Sequence, residues 1–313
     1  MKRKMVGFLV CTLLITTIIP FSVTSKVNEG STIIYVDDDG TADYATIQDA
    51  IDDASDGCTI FVYSGTYNEN IHISSKSVIL LGENKETTII DGGGSGDVVK
   101  ITSDFKTPHK VKVSGFNIKN SGNNHRDVGL EICSNDIIIS DNIIKSNTVG
   151  IWIWNGENNV IKNNIIRDNK ECGIDIVGVF SSIVENNEIF DTAEGTGLKI
   201  QHLNNVLIRK NNISNNNIGL TVLDNAVALW LIPHQQNIIM NNNFFDNTIH
   251  AGVYDRLDNY WGNFLCVRFF HNYWGGTRVF PKLILALKTP DNPSSFLCNI
   301  DLLPAKEPYD IQI

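Results

Sequence analysis

The stretch NNVIKNNIIRDNKECGIDIV, residues 158–177, combines asparagine and isoleucine at a density that neither a helix nor an ordinary loop explains. Its apolar residues alternate with polar ones over short segments, which is typical of strands, and Asn and Gly separate the segments as they do at turns. The stretch therefore predicts short strands joined by tight bends. Such strands cannot bury an apolar face alone, so they need neighbouring copies of the same pattern.

The pattern recurs along the chain when it is aligned on one asparagine. The aligned residues are Asn142, Asn164, Asn187, Asn211 and Asn242, with Phe116 at the equivalent position one repeat earlier. Successive spacings are 22, 23, 24 and 31 residues. Ile or Val stands three residues before each asparagine, and Ile or Phe stands two residues after it. A second segment opens on a glycine in each repeat, namely Gly129, Gly150, Gly173, Gly197, Gly219 and Gly252.

Repeats of this length that hold only strands and turns predict an all-β fold, the parallel β-helix. Each repeat is then one coil, and stacked coils about 4.8 Å apart align identical side chains into ladders. Asparagine suits the bends because it tolerates left-handed backbone angles and its amide can bond the amides above and below it. A leucine-rich repeat needs a leucine consensus and a helical segment, and a β-propeller needs repeats nearly twice as long.

The two ends of the chain depart from the repeat and predict three regions. Residues 1–25 have the basic start, apolar core and small-residue end of a secretory signal peptide, with an uncleaved N-terminal anchor as the alternative. Residues 26–259 hold the β-helix and its N-terminal helical cap, which residues 45–54 form because their apolar side chains share one helical face. Residues 260–313 are rich in aromatic residues and predict a cap on the last coil.

The chain resembles the right-handed parallel β-helix repeat proteins of the pectin-lyase-like group, in particular the secreted NosD-type proteins with PbH1 repeats. The Asn/Gly repeats of residues 111–256 carry this resemblance, together with IIYVDDDGTADYATIQDAIDDASDGCTIFVYSGTYNENIHI at residues 33–73 and with DNYWGNF and HNYWGG in the tail. The resemblance implies first coils that a helix covers and a closing C-terminal segment. It is specific for the fold rather than for an activity.

The glycine-led segments predict a functional face, because the residue two positions after each glycine points outward from its strand. This column consists of Glu131, Trp152, Asp175, Lys199, Thr221 and Tyr254, and Trp154 and Gln201 follow two residues later. Aromatic rings stack on sugar C–H faces, and carboxylates bond sugar hydroxyls. The predicted substrate-binding residues are Trp152, Trp154, Asp175, Lys199, Trp230 and Tyr254. The alternative is a solvated face on which Asp175 and Lys199 form a plain ion pair.

An insertion, LDNAVALWLIPHQQ at residues 223–236, accounts for the longest spacing and brings Trp230 and His234. A loop at such a place shapes a ligand groove, or its apolar residues form a self-association patch. The sequence favours neither over the other.

Glu131, Asp175 and Lys199 are candidate catalytic residues. Two coil spacings put the two carboxylates about 9–10 Å apart, at or beyond the upper end of the range of about 6.5–9.5 Å for an inverting glycosidase, and Trp152 stands between them. A polysaccharide lyase or glycoside hydrolase is therefore the alternative to non-catalytic binding. Calcium is expected only for a lyase, and no other cofactor and no resident metal is predicted.

Charge and composition restrict the partners. A formal net charge of −10 without a basic cluster after the signal region argues against nucleic acid, and no later segment is apolar enough to span a membrane. The seven histidines are scattered, which argues against the copper role of some NosD-type proteins. We predict a secreted or surface protein, periplasmic in a diderm, that binds a polysaccharide or glycoconjugate. A structural surface protein that self-associates is a further alternative.

Overall fold

The computed structural model describes residues 32–107, 109–203, 205–224, 237–255, 267–270, 272–275, 282–285, 298–301, 305 and 307–311. These residues form 28 strands and one helix. Strands from successive coils pair in parallel and build three sheets, of ten, eight and eight strands. The predicted parallel β-helix is thereby confirmed.

Each sheet is one face of the coil. The ten-stranded sheet, the long face, consists of β1 Ile33–Val36, β2 Cys58–Val62, β5 Val78–Gly82, β8 Val111–Ser114, β11 Ile137–Ser140, β14 Val160–Lys162, β17 Ile183–Glu185, β20 Leu207–Arg209, β23 Asn237–Met240 and β26 Val267–Phe270. The short face consists of β3 Gly65–Tyr67, β6 Thr88–Asp91, β9 Asn117–Lys119, β12 Ile143–Lys145, β15 Ile165–Arg167, β18 Glu188–Phe190, β21 Asn212–Ser214 and β24 Asn243–Phe245.

The third sheet, the glycine face, contains the glycine-led segments. Its strands are β4 Ile71–Ser74, β7 Val99–Thr102, β10 Val128–Cys133, β13 Val149–Glu157, β16 Cys172–Phe180, β19 Thr196–Gln201, β22 Ile218–Asp224 and β25 Ile249–Asp255. Outside the three faces, β27 Lys282–Leu285 and β28 Cys298–Asp301 pair antiparallel. Ile, Val and Leu from all three faces fill one continuous core.

A ladder of buried asparagines runs along the bend between the long and short faces. Asn164 Nδ2 donates to Asn187 Oδ1 at 3.0 Å, and Asn187 Nδ2 donates to Asn211 Oδ1 at 2.9 Å. The same bond joins the other neighbours of this ladder, from Asn142 to Asn272. The predicted amide ladder is present, but the left-handed backbone belongs to the preceding residues, namely Asp141, Asn163, Asn186, Lys210 and Asn241.

The predicted N-terminal helix, α1, spans Ile47–Asp53 and packs against β1, β2 and β4. The Glu69 carboxylate accepts hydrogen bonds from the first backbone N–H groups of the helix, at 2.8 and 2.9 Å. Lys76 Nζ donates to the carbonyl oxygens of Ile51 and Asp52 at the other end. The following coil therefore holds both helix termini. Among the described residues, no helix has the length and apolar character needed to cross a membrane.

One aromatic residue of the tail supports the predicted C-terminal cap. Trp274 is fully buried and stacks on Phe244, with ring centroids 4.6 Å apart. It therefore fills the core at the last coils, where a sugar cannot reach it. Tyr260 and Trp261 lie outside the described residues, as does the signal-like region, so the three-region division remains a prediction.

Candidate functional site

The outward side chains of the glycine face form the predicted column in consecutive coils. Strand pairing gives the order Lys100, Glu131, Trp152, Asp175, Lys199 and Thr221. Because each residue is paired with the next across the sheet, neighbouring side chains are in direct reach of one another. We call this set the groove column.

The prediction that Tyr254 belongs to this column is wrong. Thr221 pairs with Gly252, and Leu223 pairs with Tyr254, so Tyr254 lies two residues further along its strand. The position stacked on Gly219 is His250, whose carbonyl oxygen would lie 2.6 Å from a Cβ atom added to that glycine. The coil that contains β25 has His250 at the position where the earlier coils have glycine. The glycine pattern in the sequence therefore pointed to Gly252, two residues later.

An open groove with a volume of about 620 Å³ lies over the column. Trp152, Asp175 and Lys199 line it, together with His125 and Glu171 from the loops that precede β10 and β16. His125 Nδ1 lies 2.6 Å from Glu171 Oε2. This contact links the two loops over the coil that lies between them and forms one side of the groove.

Asp175 is the centre of a hydrogen-bonded cluster in the groove. Lys199 Nζ donates to one carboxylate oxygen at 3.0 Å, and Gln201 Nε2 donates to the other at 3.1 Å. The predicted alternative, an Asp175–Lys199 ion pair, is therefore present. Each carboxylate oxygen keeps a further lone pair and the ammonium keeps further N–H groups, so the fixed cluster still offers acceptors and donors to a ligand.

Trp152 joins the groove to a small apolar cluster. It is partly buried and packs against Val128, Val149 and Cys172, which also line the groove. Trp154 stacks beside it, with ring centroids 6.3 Å apart, but 44% of Trp154 is exposed. Burial raises the pKa of the Cys172 thiol well above its usual value. The thiol therefore packs in this cluster in its protonated form.

Glu131 belongs to a separate cluster. It is buried and forms an ion pair with Lys100, whose Nζ also lies 3.4 Å from Asp97 Oδ2. Burial, together with a hydrogen bond to the Glu131 carboxyl, raises the pKa of Asp97 to about 6. Among the three candidate catalytic residues, the structure brings Asp175 and Lys199 together and leaves Glu131 on the other side of Trp152.

Sequence reasoning missed Lys100 and Asp97. Lys100 has the register of the column, but Val98 stands where later coils have glycine. Asp97 precedes the strand, and its other carboxylate oxygen accepts a hydrogen bond from the backbone N–H of Val128 in the next coil. Trp230 and His234 lie outside the described residues, so the predicted contribution of Trp230 remains a prediction.

Comparison with known proteins places the chain among β-helix families. The model of the NosD family, described as periplasmic copper-binding protein, matches residues 51–277. Pectinesterase 2 of Citrus sinensis is 32% identical to this chain over 107 residues. The aligned part covers 31% of this chain and 21% of that protein, so the chain matches about a fifth of this relative's length.

Solved structures show the same fold at low sequence identity. XylC in complex with xylose has a TM-score of 0.59 at 13% identity, covering 79% of this chain and 67% of that one. Carrot pectin methylesterase has a TM-score of 0.51 at 14% identity, with coverages of 78% and 82%. A pectin methylesterase variant in complex with a hexasaccharide has a TM-score of 0.53 at 13% identity, with coverages of 83% and 91%.

The family description implies copper, but the described residues do not fit a copper centre. Copper sites in proteins use clustered His, Cys or Met ligands. In the part of the chain that the structure describes, no group of three or more His, Cys, Asp or Glu side chains is placed to hold a metal ion.

Proposed function

The chain belongs to the NosD family, and we propose that it binds a polysaccharide or glycoconjugate in its groove without catalysing a reaction. The observation that carries this proposal is the Asp175 carboxylate, held through both oxygens beside Trp152 on the groove floor. We place this function at the cell surface, outside the cell or, in a diderm, in the periplasm. The periplasmic description of the family supports that location.

Sugar recognition needs an apolar surface and a few fixed polar groups. The partly buried Trp152 ring offers the first, and the Asp175–Lys199–Gln201 cluster offers donors and acceptors whose positions are fixed before a ligand arrives. Pre-ordered side chains lower the entropy cost of binding. Two proteins of the same fold are described in complex with xylose and with a hexasaccharide, which supports a saccharide ligand.

A lyase or hydrolase is the weaker alternative. A glycosidase needs two carboxyl groups that face one bond, whereas Glu131 is buried against Lys100 and Trp152 separates it from Asp175. Release of reducing ends or unsaturated products from a broad polysaccharide panel, with and without calcium, would establish that alternative.

Glycan-array binding of four proteins tests the proposal. We expect wild type and Phe180→Ala to bind the same glycan, because Phe180 is an exposed aromatic residue that does not line the groove. Trp152→Ala and Asp175→Asn should weaken binding at least about tenfold. Asp175→Asn preserves side-chain size and reports on the groove even if Trp152→Ala disturbs packing. Retention of no glycan by wild type, or equal binding by all four proteins, would contradict the proposal.

A further inference from the structure

A second cavity lies at the C-terminal end of the β-helix. It has a volume of about 540 Å³ and is lined by Phe245, Asp246, His250, Tyr273, Gly275 and Pro308. None of these residues lines the groove. The cavity combines two aromatic side chains with a carboxylate and an imidazole, and ligand sites commonly combine apolar surface with a few polar groups in this way.

The last coil supplies the two aromatic residues of the cavity. Phe245 ends β24 and points outward from the short face, because Phe244 beside it lies in the core. Tyr273 follows in the same sheet: its N–H donates to the Asn242 carbonyl and its carbonyl accepts from the Phe244 N–H, both at 2.8 Å. The two aromatic residues therefore lie on neighbouring segments of one sheet.

The C-terminal segment 307–311 forms a further wall of the cavity. Tyr309 makes two hydrogen bonds with the Asn243 side chain: its N–H donates to Oδ1 at 2.8 Å, and its carbonyl accepts from Nδ2 at 2.9 Å. Asn243 is only 2% exposed, so water does not compete for this two-point contact. The contact holds the neighbouring Pro308 at the cavity.

Gly275 leaves room for the imidazole of His250. The glycine has a φ of 61°, and a Cβ atom added to it would lie 2.8 Å from His250 Nε2. A larger residue at position 275 would therefore strain the backbone and displace the imidazole from the cavity.

The cavity continues the groove along the axis of the β-helix. Ile218 lines the groove and pairs with Ile249, whose neighbour His250 lines the cavity. Asp175, at the centre of the groove, is three strand spacings, about 14 Å, from the coil of β25. One extended ligand can therefore occupy both places.

We propose that this cavity is a distal subsite for the glycan in the groove and holds a sugar unit further along the same chain. The inference rests on the proposed function. The Phe245 and Tyr273 rings supply apolar surface, and the Asp246 carboxylate accepts hydrogen bonds from hydroxyl groups. A chain that reaches both places binds the second one intramolecularly, so it binds more tightly than a shorter chain. The ligand is therefore a linear saccharide of several units rather than a mono- or disaccharide.

The chain contains a matched control for this subsite. Phe190 and Asp191 are the same dipeptide as Phe245 and Asp246, at the same position of the coil, two coils earlier. Both aspartates have a left-handed backbone, with φ of 58° and 53°. Phe190 and Asp191 line neither the groove nor the cavity. Equivalent changes at the two places therefore alter the same local structure, and only one of them alters the cavity.

Calorimetric titration with size-fractionated oligosaccharides tests the proposal. The oligomers, of about two to about eight units, come from xylan, from pectin and from every further glycan that the array retains. We expect wild type to bind the longest oligomers at least about tenfold more tightly than the shortest. Phe245→Ala and Asp246→Asn should remove that gain without changing the affinity for the shortest oligomers. Phe190→Ala and Asp191→Asn should keep the gain.

Three outcomes would overturn the subsite and leave the groove proposal standing. They are a wild-type affinity that does not rise with chain length, cavity variants that keep the wild-type gain, and tetramethylammonium binding that Asp246→Asn abolishes while its oligomer affinities stay unchanged, which would assign the cavity to a cation. Binding of no oligomer by wild type would overturn both proposals. Asp246→Asn preserves side-chain size and suits a left-handed position, so it reports on the cavity even if Phe245→Ala impairs folding.

Discussion

Two carboxylate–lysine clusters lie on the same column of the glycine face, yet they differ in burial and in their neighbours. Glu131 is buried and shares Lys100 with Asp97, whereas Asp175 lies in the groove and is held by Lys199 and Gln201. Both acidic residues occupy the same position of the repeat. Their chemistry therefore depends on what the adjacent coils contribute: a second carboxyl group in one case and open space in the other.

The largest expected effect is on stability, from Glu131→Ala. The change removes the buried carboxylate that pairs with Lys100, leaves only Asp97 at 3.4 Å, and should lower the free energy of unfolding by about 2–3 kcal/mol. Asp175→Ala, the matched change in the groove, should cost about 1 kcal/mol or less, because Asp175 is more exposed than Glu131 and lies under an open groove. Urea unfolding measures both values.

Glycan binding should show the opposite ranking. Asp175→Ala should lose binding, whereas folded Glu131→Ala should retain it because Glu131 does not line the groove. Equal destabilisation by both changes, together with equal loss of binding, would mean that the clusters are not functionally distinct.

The pH dependence of stability should sharpen the same comparison. Asp97 has a pKa of about 6 in the folded protein, raised from 3.8 by burial and by the bond to Glu131. The folded state therefore holds a proton that the unfolded state releases between these values, and its stabilising contribution is lost as the pH rises from about 4 to above 6. Thermal unfolding across that range should show this decline in wild type.

Two variants identify the source of the decline. Asp97→Asn should remove this contribution, whereas Asp175→Asn should leave it in place. The second variant should lose stability with rising pH as steeply as wild type does, since Asp175 does not contact the buried cluster. A slope that survives Asp97→Asn unchanged would assign the pH dependence to another group.

The fold was readable from the sequence because its evidence is repeated in every coil. Asn164 and Asn187 occupy the same position of successive repeats, two residues before an inward isoleucine. Each buried side-chain amide forms its hydrogen bond with the equivalent amide of the next coil. The bend chemistry was less readable. Asn and Asp occupy four of the five left-handed positions before the ladder, but Lys210 occupies the fifth, so no single residue type marks the position.

The candidate site was only partly readable because its contacts join different coils. The Asp175–Lys199 pair follows from register and was predicted, whereas Asp97 and Lys100 lie in a coil without the glycine marker. The sequence pattern misplaced Tyr254 because Gly252, the glycine of its coil, lies two residues after the position equivalent to Gly219. Register errors of two residues keep the outward orientation of a side chain and change its neighbours, so they go unnoticed in the sequence.

The smallest expected effect concerns the Asp175–Lys199 ion pair. Lys199→Met should cost less than about 1 kcal/mol, because the pair is open to the groove and Gln201 still holds the other carboxylate oxygen. A double-mutant cycle of Lys199→Met with Asp175→Asn should give a coupling energy of about 0.5 kcal/mol.

The equivalent cycle of Lys100→Met with Glu131→Gln should give a larger coupling energy, because Glu131 is more deeply buried than Asp175. Urea unfolding of the single and double variants supplies both numbers, and a larger coupling in the groove than at Glu131 would reverse the assignment of the structural and ligand-facing clusters.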